Sequence, residues 1–285
     1  MNEVYLGPKN TTDIKVNLPP INFFVNQIKN NKPFVFVKVN HGWWDAIYRI
    51  KKNNVHKKNL EVYANLLFKS RKKRPWCAKT DKDIWFTLVS KWVDILINYD
   101  KQPSNLYVGV CHTSGIFFNT KLINLNMIKI WQQHNKRLFY HGGLLRHYIL
   151  MDEMQPLIRA MNNANKKVHV IGPSYCKEYK KFLSNFNFIE IPFYNGANQI
   201  NSIYDNLKKN AKGGDIVLAS FGDAESLLID FCMENNLTLM GIGRAFDYLV
   251  KNKIPPMPGH PRQMWFKPSR KFLKRKIKNI RTNKK

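Results

Sequence analysis

The sequence predicts an α/β protein with a Rossmann-like, mostly parallel sheet, helices on both faces and a basic C-terminal tail. Between residues 33 and 250, short β-branched and aromatic runs alternate with helix-spaced segments, the pattern of βαβ units and a parallel sheet. The runs end in glycine or small polar residues, and α/β proteins place ligand contacts at such strand ends. With 285 residues, 44% of them hydrophobic, the chain is long enough to bury a full α/β core, and no internal repeat or low-complexity linker divides it.

Residues 1–32 read as a polar lead-in, with Leu18-Pro19-Pro20 a stiff extended approach and Ile21 to Asn30 a short amphipathic helix. The main domain is expected over 33–266 and a separate tail over 267–285. Phe34 to Val39 is a strand that breaks at Asn40-His41-Gly42, and a helix follows through Trp43, Ile47 and Ile50. The free N–H groups of such a helix favour anions, so His41, Trp43 and Asp45 are expected within reach of one bound ligand. Leu60, Tyr63, Leu66 and Leu67 share a helical face that ends in a basic turn closed by Pro75 and Trp76. Asp81 to Asn98 is a helix capped by Asp81 or Thr80, with Ile84, Trp85, Leu88, Trp92, Ile95 and Leu96 as its apolar stripe.

Leu106 to Cys111 is a second strand, running into His112-Thr113-Ser114-Gly115, and a helix is expected from Leu122 to Gln133. A short strand, Arg137 to Tyr140, leads to His141-Gly142-Gly143, where paired glycines open a helix bearing Arg146 and His147. The second half is more regular. Val168 to Ile171 is a strand feeding Gly172-Pro173-Ser174 and a helix to Leu183; Phe188 to Ile191 is a strand; Ile200 to Lys209 is a helix. Asp215 to Ser220 is a strand entering Phe221-Gly222-Asp223 and a helix to Cys232, and Leu237 to Ile242 is a final strand running into Gly243-Arg244-Ala245-Phe246-Asp247.

Charge is the strongest compositional signal: 47 Lys and Arg against 19 Asp and Glu, a net of +28. Arg49 to Arg74, which includes Lys51, Lys52, Arg71, Lys72, Lys73 and Arg74, holds ten cations and one acid, Glu61. Lys267 to Lys285, which includes Lys271, Lys274 and Arg275, holds ten cations and no acid. Fields of one sign on this scale point to a polyanion, nucleic acid first, or to an acidic membrane surface. Phe272, Leu273, Ile277 and Ile280 recur at helical intervals in the tail, which keeps the membrane surface open as a partner. The sequence has no apolar run of eighteen residues and no charged-then-apolar amino terminus, so a soluble cytoplasmic protein is expected. Cys77, Cys111, Cys176 and Cys232 are widely spaced, which argues against a disulfide framework and a structural zinc site.

Several of these stretches together resemble the GT-D type glycosyltransferases. In that family the first strand ends in F-x-R-[FY]-G-D-G-E before a helix. Lys38 to Trp43 stand in this frame, with Gly42 kept and the family's D-x-E pair falling on His41 and Trp43. The later order V-x-x-I-G-P (Val168 to Pro173), F-I-E-I-P with Asn195 (Phe188 to Asn195), a strand leading to L-I-D (Ile216 to Asp230) and G-x-G-x-x-F-D (Gly241 to Asp247) is also similar to the family pattern. The resemblance implies transfer of a sugar from a nucleotide-sugar donor to a hydroxyl acceptor. Because the acidic pair tied to metal and diphosphate is missing, it implies donor binding without a metal or other cofactor.

On that reading, backbone N–H groups at Gly42, Gly172, Gly222 and Gly243, backed by Lys38 and Arg244, hold the donor diphosphate. Asp45 and Asp223 are the expected bases for the acceptor hydroxyl, and Asp247 marks a turn or a ribose contact. Trp43, Trp44, Trp265 and Phe266 could stack a base or sugar beside the basic runs. The leading expectation for the acceptor is a hydroxymethylated base in DNA, flipped into the pocket. Two alternatives stand beside it: transfer to a protein or surface glycan at an anionic membrane, and an inactive nucleic-acid-binding protein of the same fold.

Overall fold

The computed structural model describes residues 2–5, 15–39, 79–110, 128, 131–163 and 165–250. Among them, nine strands form one sheet: β1 (Asn2–Tyr5), β2 (Lys15–Leu18), β3 (Val35–Val39), β4 (Leu106–Val110), β5 (Tyr140–His141), β6 (Val168–Gly172), β7 (Phe186–Glu190), β8 (Ile216–Ala219) and β9 (Thr238–Gly241). Their spatial order is β1-β2-β5-β4-β3-β9-β8-β6-β7. Eight of these strands run parallel, and β1 joins the edge antiparallel to β2. This is the expected Rossmann-like α/β architecture.

Helices cover both faces because the strand pleat sends alternate side chains to opposite sides. On β3, Phe36 points to one face, against helix α1 (Asn22–Lys29), while Val35, Val37 and Val39 pack on the other face under helix α2 (Lys82–Ile97). The apolar stripe of α2 is Trp85, Leu88, Val89, Trp92, Ile95 and Leu96, all buried, and each large side chain of this kind contributes about 1.5–3 kcal/mol when fully buried. Helices α3 (Leu144–Leu150) and α4 (Gln155–Asn163) lie on the α1 face. Helices α5 (Ile200–Asn210) and α6 (Ile229–Glu234) lie on the α2 face.

Several local expectations are corrected. The stretch read as a polar lead-in holds its expected helix, at Asn22–Lys29, but also supplies two strands that were not expected, and Asn17 ties β2 to β5 through its N–H on the Phe139 carbonyl (2.8 Å). The strand expected over Arg137 to Tyr140 lies instead at Tyr140–His141. The N–H groups of Lys136 and Arg137 are held by the Asp100 carboxylate at 2.8 and 2.7 Å and cannot join a ladder. Those bonds also hold the Asp100 pKa below its ordinary value. Asp81 does stand at the N-cap of α2 but makes no side-chain cap bond. Its N–H donates to Asn198 Oδ1 at 3.0 Å, and Asn195 Oδ1 takes the Lys79 N–H at 2.7 Å, so the loop before α5 secures this helix end. The segments expected as helices after β6 and β8 are 3-10 over Ser174–Lys181 and Gly222–Leu228, and only the second continues into an α-helix. The helices expected over 43–50, 60–74 and 122–133 lie wholly or largely outside the described residues.

Candidate functional site

Neighbouring strands β6 and β8 send the chain to opposite faces. After β6, Cys176, Tyr179 and Leu183 enter the layer shared with α1; after β8, Ala224, Leu227 and Leu228 enter the layer shared with α2. Such a reversal opens a crevice at the carboxyl ends of the two strands, the place where open α/β sheets bind ligands. At these strand ends Gly172 and Tyr175 lie against Ser220: a Cβ placed on Gly172 would lie 3.1 Å from Ser220 Cβ, and Tyr175 and Ser220 share a hydrogen bond.

The turn after β9 closes the same edge. Gly243 has φ +48°, a left-handed conformation that glycine adopts without steric cost. Ser220 donates its hydroxyl to the Gly243 carbonyl at 2.8 Å, joining the ends of β8 and β9. The Lys38 ammonium lies directly over Gly243, so close that a Cβ there would overlap it. The carboxylate of Glu225, fully buried, occupies the space a Cβ on Gly241 would need.

Arg244 and Asp247 form an ion pair across one 3-10 turn, Nε to Oδ2 at 2.6 Å. Tyr179 donates its hydroxyl to the other carboxylate oxygen at 2.7 Å. Asp247 is only 3% exposed, and burial raises its pKa; the bonds from Arg244 and Tyr179 and the charge of Lys38 pull the other way. The Arg244 side chain is 29% exposed, and its guanidinium carbon sits 5.9 Å from the centroid of the Tyr175 ring. Burial also raises the Tyr175 pKa, against a hydrogen bond with Ser220. The result is a cationic edge made by Lys38 and Arg244, with the buried Asp247 carboxylate against Arg244 and aromatic rings beside it.

Of the residues singled out in the sequence, Lys38, Gly172, Gly243, Arg244 and Asp247 are brought to this one edge, at the ends of β3, β6 and β9. Gly222 begins the 3-10 segment after β8, and the backbone of Asp223 follows it there. His41, Gly42, Trp43 and Asp45 lie outside the described residues, as do Lys51, Lys52, Arg71, Lys72, Lys73, Arg74, Lys271, Lys274 and Arg275. The Gly142-Gly143 pair commits both its amides within the fold, Gly142 N–H to the Val110 carbonyl at 2.8 Å and Gly143 N–H to His141 Nδ1 at 3.1 Å. It therefore offers no amide to an anion. Ser220, Tyr175 and Tyr179 were not singled out as site residues in the sequence, and each follows or ends a strand that was.

A separate groove of about 580 Å³ between α1 and α4, bordered by Asn22, Lys29, Arg159 and Lys166, holds none of the expected site residues. Among the described residues no cluster of His, Cys, Asp and Glu could hold a metal ion, and no helix is long and apolar enough to cross a membrane.

The sequence matches no family model and no curated relative. The backbone, however, is similar to solved structures. One is a selenomethionine-substituted structure of domain of unknown function 1792, 14% identical, with TM-score 0.53 over 82% of this chain and 81% of that one. A second is described as showing that this highly conserved domain has a distinct glycosyltransferase fold; it is 13% identical, with TM-score 0.51 over 81% and 79% of the two chains. A third is described as a new glycosyltransferase of this domain type from Streptococcus sanguinis, 11% identical, with TM-score 0.52 over 82% and 84%. The likeness is one of fold: this chain has the architecture described as a distinct glycosyltransferase fold, in accord with the GT-D resemblance of its motifs.

Proposed function

We propose that this chain is a glycosyltransferase that moves a sugar from a nucleotide-sugar donor to a hydroxyl acceptor, with the donor diphosphate in the crevice beyond β6, β8 and β9. The observation that supports this reading is the placement of Lys38 and Arg244 beside the Gly243 turn, at the carboxyl ends of strands in a fold shared with structures described as having a glycosyltransferase fold or as a glycosyltransferase. As the glycosidic bond to the donor breaks, negative charge grows on the departing diphosphate. Fixed cations aimed at it stabilise the transition state more than the bound donor. Lys38 and Arg244 take that role in place of the expected glycine amides, because the Gly243 N–H is committed to the Ala219 carbonyl at 3.3 Å and Gly172 is packed against Cys176 and Ser220. Asp247, being buried, acts by orienting Arg244 rather than by gripping a sugar hydroxyl.

Donor binding in this reading needs no divalent ion. His41 and Trp43 stand where the GT-D pattern has its acidic pair, which does not suit a metal, and no step is assigned to one. Asp45 and Asp223 are the proposed bases for the acceptor proton.

For the acceptor we propose a hydroxymethylated base in DNA. The support is electrostatic: a net charge of +28 with twenty cations in two runs that hold one acid. Flipping a base costs a few kcal/mol, which phosphate contacts from residues such as Arg71, Lys72, Lys274 and Arg275 would offset. The test is a calorimetric titration of a panel of nucleotide sugars, followed by label transfer to hydroxymethylated and unmodified duplexes. Transfer to the modified duplex alone is expected. Donor hydrolysis without transfer to DNA would redirect the acceptor to another hydroxyl, and failure of every donor to bind would overturn the reading.

A further inference from the structure

We infer that Tyr179 is a positioning residue for the donor site: through Asp247 it fixes the guanidinium of Arg244 at the crevice. The inference rests on the donor reading above and adds to it a residue 65 positions away from Arg244 in sequence. Its basis is a three-member chain of contacts. The Tyr179 hydroxyl donates to Asp247 Oδ1 at 2.7 Å, and Arg244 Nε donates to Oδ2 of the same carboxylate at 2.6 Å. With both oxygens bonded, the carboxylate cannot rotate without breaking one bond, and its plane sets the direction of the guanidinium. Tyr179 is itself immobilised. It is fully buried, its ring meets Phe182 at 5.7 Å and Phe246 at 5.8 Å, and Phe246 adjoins Asp247 in the chain. The brace therefore ties the segment after β6 to the segment after β9, which share one face of the sheet. A carboxylate this deeply buried is costly to keep unless its partners hold it.

A residue that merely stabilises the fold would affect ligand binding equally whether or not Arg244 is present, whereas one that acts through Arg244 would not. This distinction is read by a double-mutant cycle with inorganic pyrophosphate as the probe. Tyr179→Phe keeps the ring and removes only the donor. It is expected to weaken pyrophosphate binding about three- to tenfold in the wild-type background, the range of one lost hydrogen bond, and less than about twofold in the Arg244→Ala background. In parallel, the Arg244 Nε–H resonance should exchange slowly with solvent in the wild type and fast in Tyr179→Phe. Equal weakening in both backgrounds with an unchanged Arg244 resonance overturns the inference and leaves the donor reading standing. If the wild type binds neither pyrophosphate nor any nucleotide sugar, the donor reading fails. The Arg244 resonance then decides the brace: slow exchange in both proteins overturns it, and fast exchange in Tyr179→Phe alone supports it.

Discussion

Lys38 on β3 and Gly243 beyond β9 touch so closely that no side chain fits at Gly243 without moving the lysine. The contact follows from sheet topology. Strands β3 and β9 are neighbours, with Val35 opposite Leu239 and Phe36 opposite Met240, so the register carries Lys38 to the start of the turn after β9. Two segments some two hundred residues apart thereby place a cation over a bare stretch of backbone.

Gly243→Ala tests this contact. The left-handed φ of +48° disfavours any side chain by about 1–2 kcal/mol, and the added methyl displaces the Lys38 ammonium. Urea unfolding should show a loss of at least that size, and diphosphate binding should fall with it. Ser220→Ala, which removes the bond to the Gly243 carbonyl together with the one shared with Tyr175, should lose at least about 0.5–1.5 kcal/mol of stability. Equal stability of Gly243→Ala and wild type would mean that the turn can reorganise and does not fix Lys38.

Arg244→Ala removes one of the two half-buried cations of the site. Donor affinity should drop by about 1.5–3 kcal/mol, the range for hydrogen bonds to charged groups. Adding a chelator to the wild-type titration should leave affinity within a few-fold. A loss of tenfold or more on chelation would count against metal-free binding, and an Arg244→Ala protein with wild-type affinity would move the diphosphate elsewhere on the edge.

The amino-terminal half of β6 supplies a pH-dependent term in stability. His169 is 0% exposed, with Nε2 3.2 Å from Asp215 Oδ2 and Nδ1 2.9 Å from Asn187 Nδ2. An amide donating to Nδ1 leaves the ring proton on Nε2 facing Asp215, so the neutral ring is satisfied. Burial lowers its pKa from the ordinary 6.5 and outweighs the opposite pull of Asp215. The folded chain then binds fewer protons than the unfolded one, and the stability this site contributes is complete above pH 6.5 and lost as pH falls through the folded-state value. Urea unfolding between pH 8 and pH 5 should show the decline. His169→Gln should show a shallower one, and parallel pH curves would assign the slope to other groups.

The parallel core was legible in the sequence. Strands β3, β4, β6, β8 and β9 are buried on both faces, so each reads as a mainly apolar run, broken only by Lys38, His169 and Thr238. Strand β2 was not, because Lys15-Val16-Asn17-Leu18 is half polar and its place depends on the pairing of Asn17 with Tyr140. The 3-10 segments escaped for another reason: apolar residues three and four apart serve either kind of helix, and the choice is made by packing. At the site, Arg244 and Asp247 were visible because they lie three residues apart after a strand. Tyr179 lies 68 residues from Asp247, and in a helix-like pattern it reads only as one more core position.

The last expectation concerns the polyanion. The runs Arg49 to Arg74 and Lys267 to Lys285 hold twenty of the 47 cations and a single acid, so they should supply most phosphate contacts. If about six to ten of them touch phosphate, duplex affinity should fall by about 10³ to 10⁵ between roughly 50 and 200 mM salt. Removing residues 268–285 should make the slope shallower by about one unit per lost contact. The same truncation should leave nucleotide-sugar binding nearly unchanged, because the tail follows β9 in sequence and lies outside the GT-D-like motifs. That contrast separates a nucleic-acid acceptor from a membrane-bound one. Tight binding to anionic vesicles with only weak duplex binding at about 150 mM salt would rule out the DNA acceptor and favour a surface glycan or protein, since each basic residue near an anionic bilayer contributes about 1 kcal/mol.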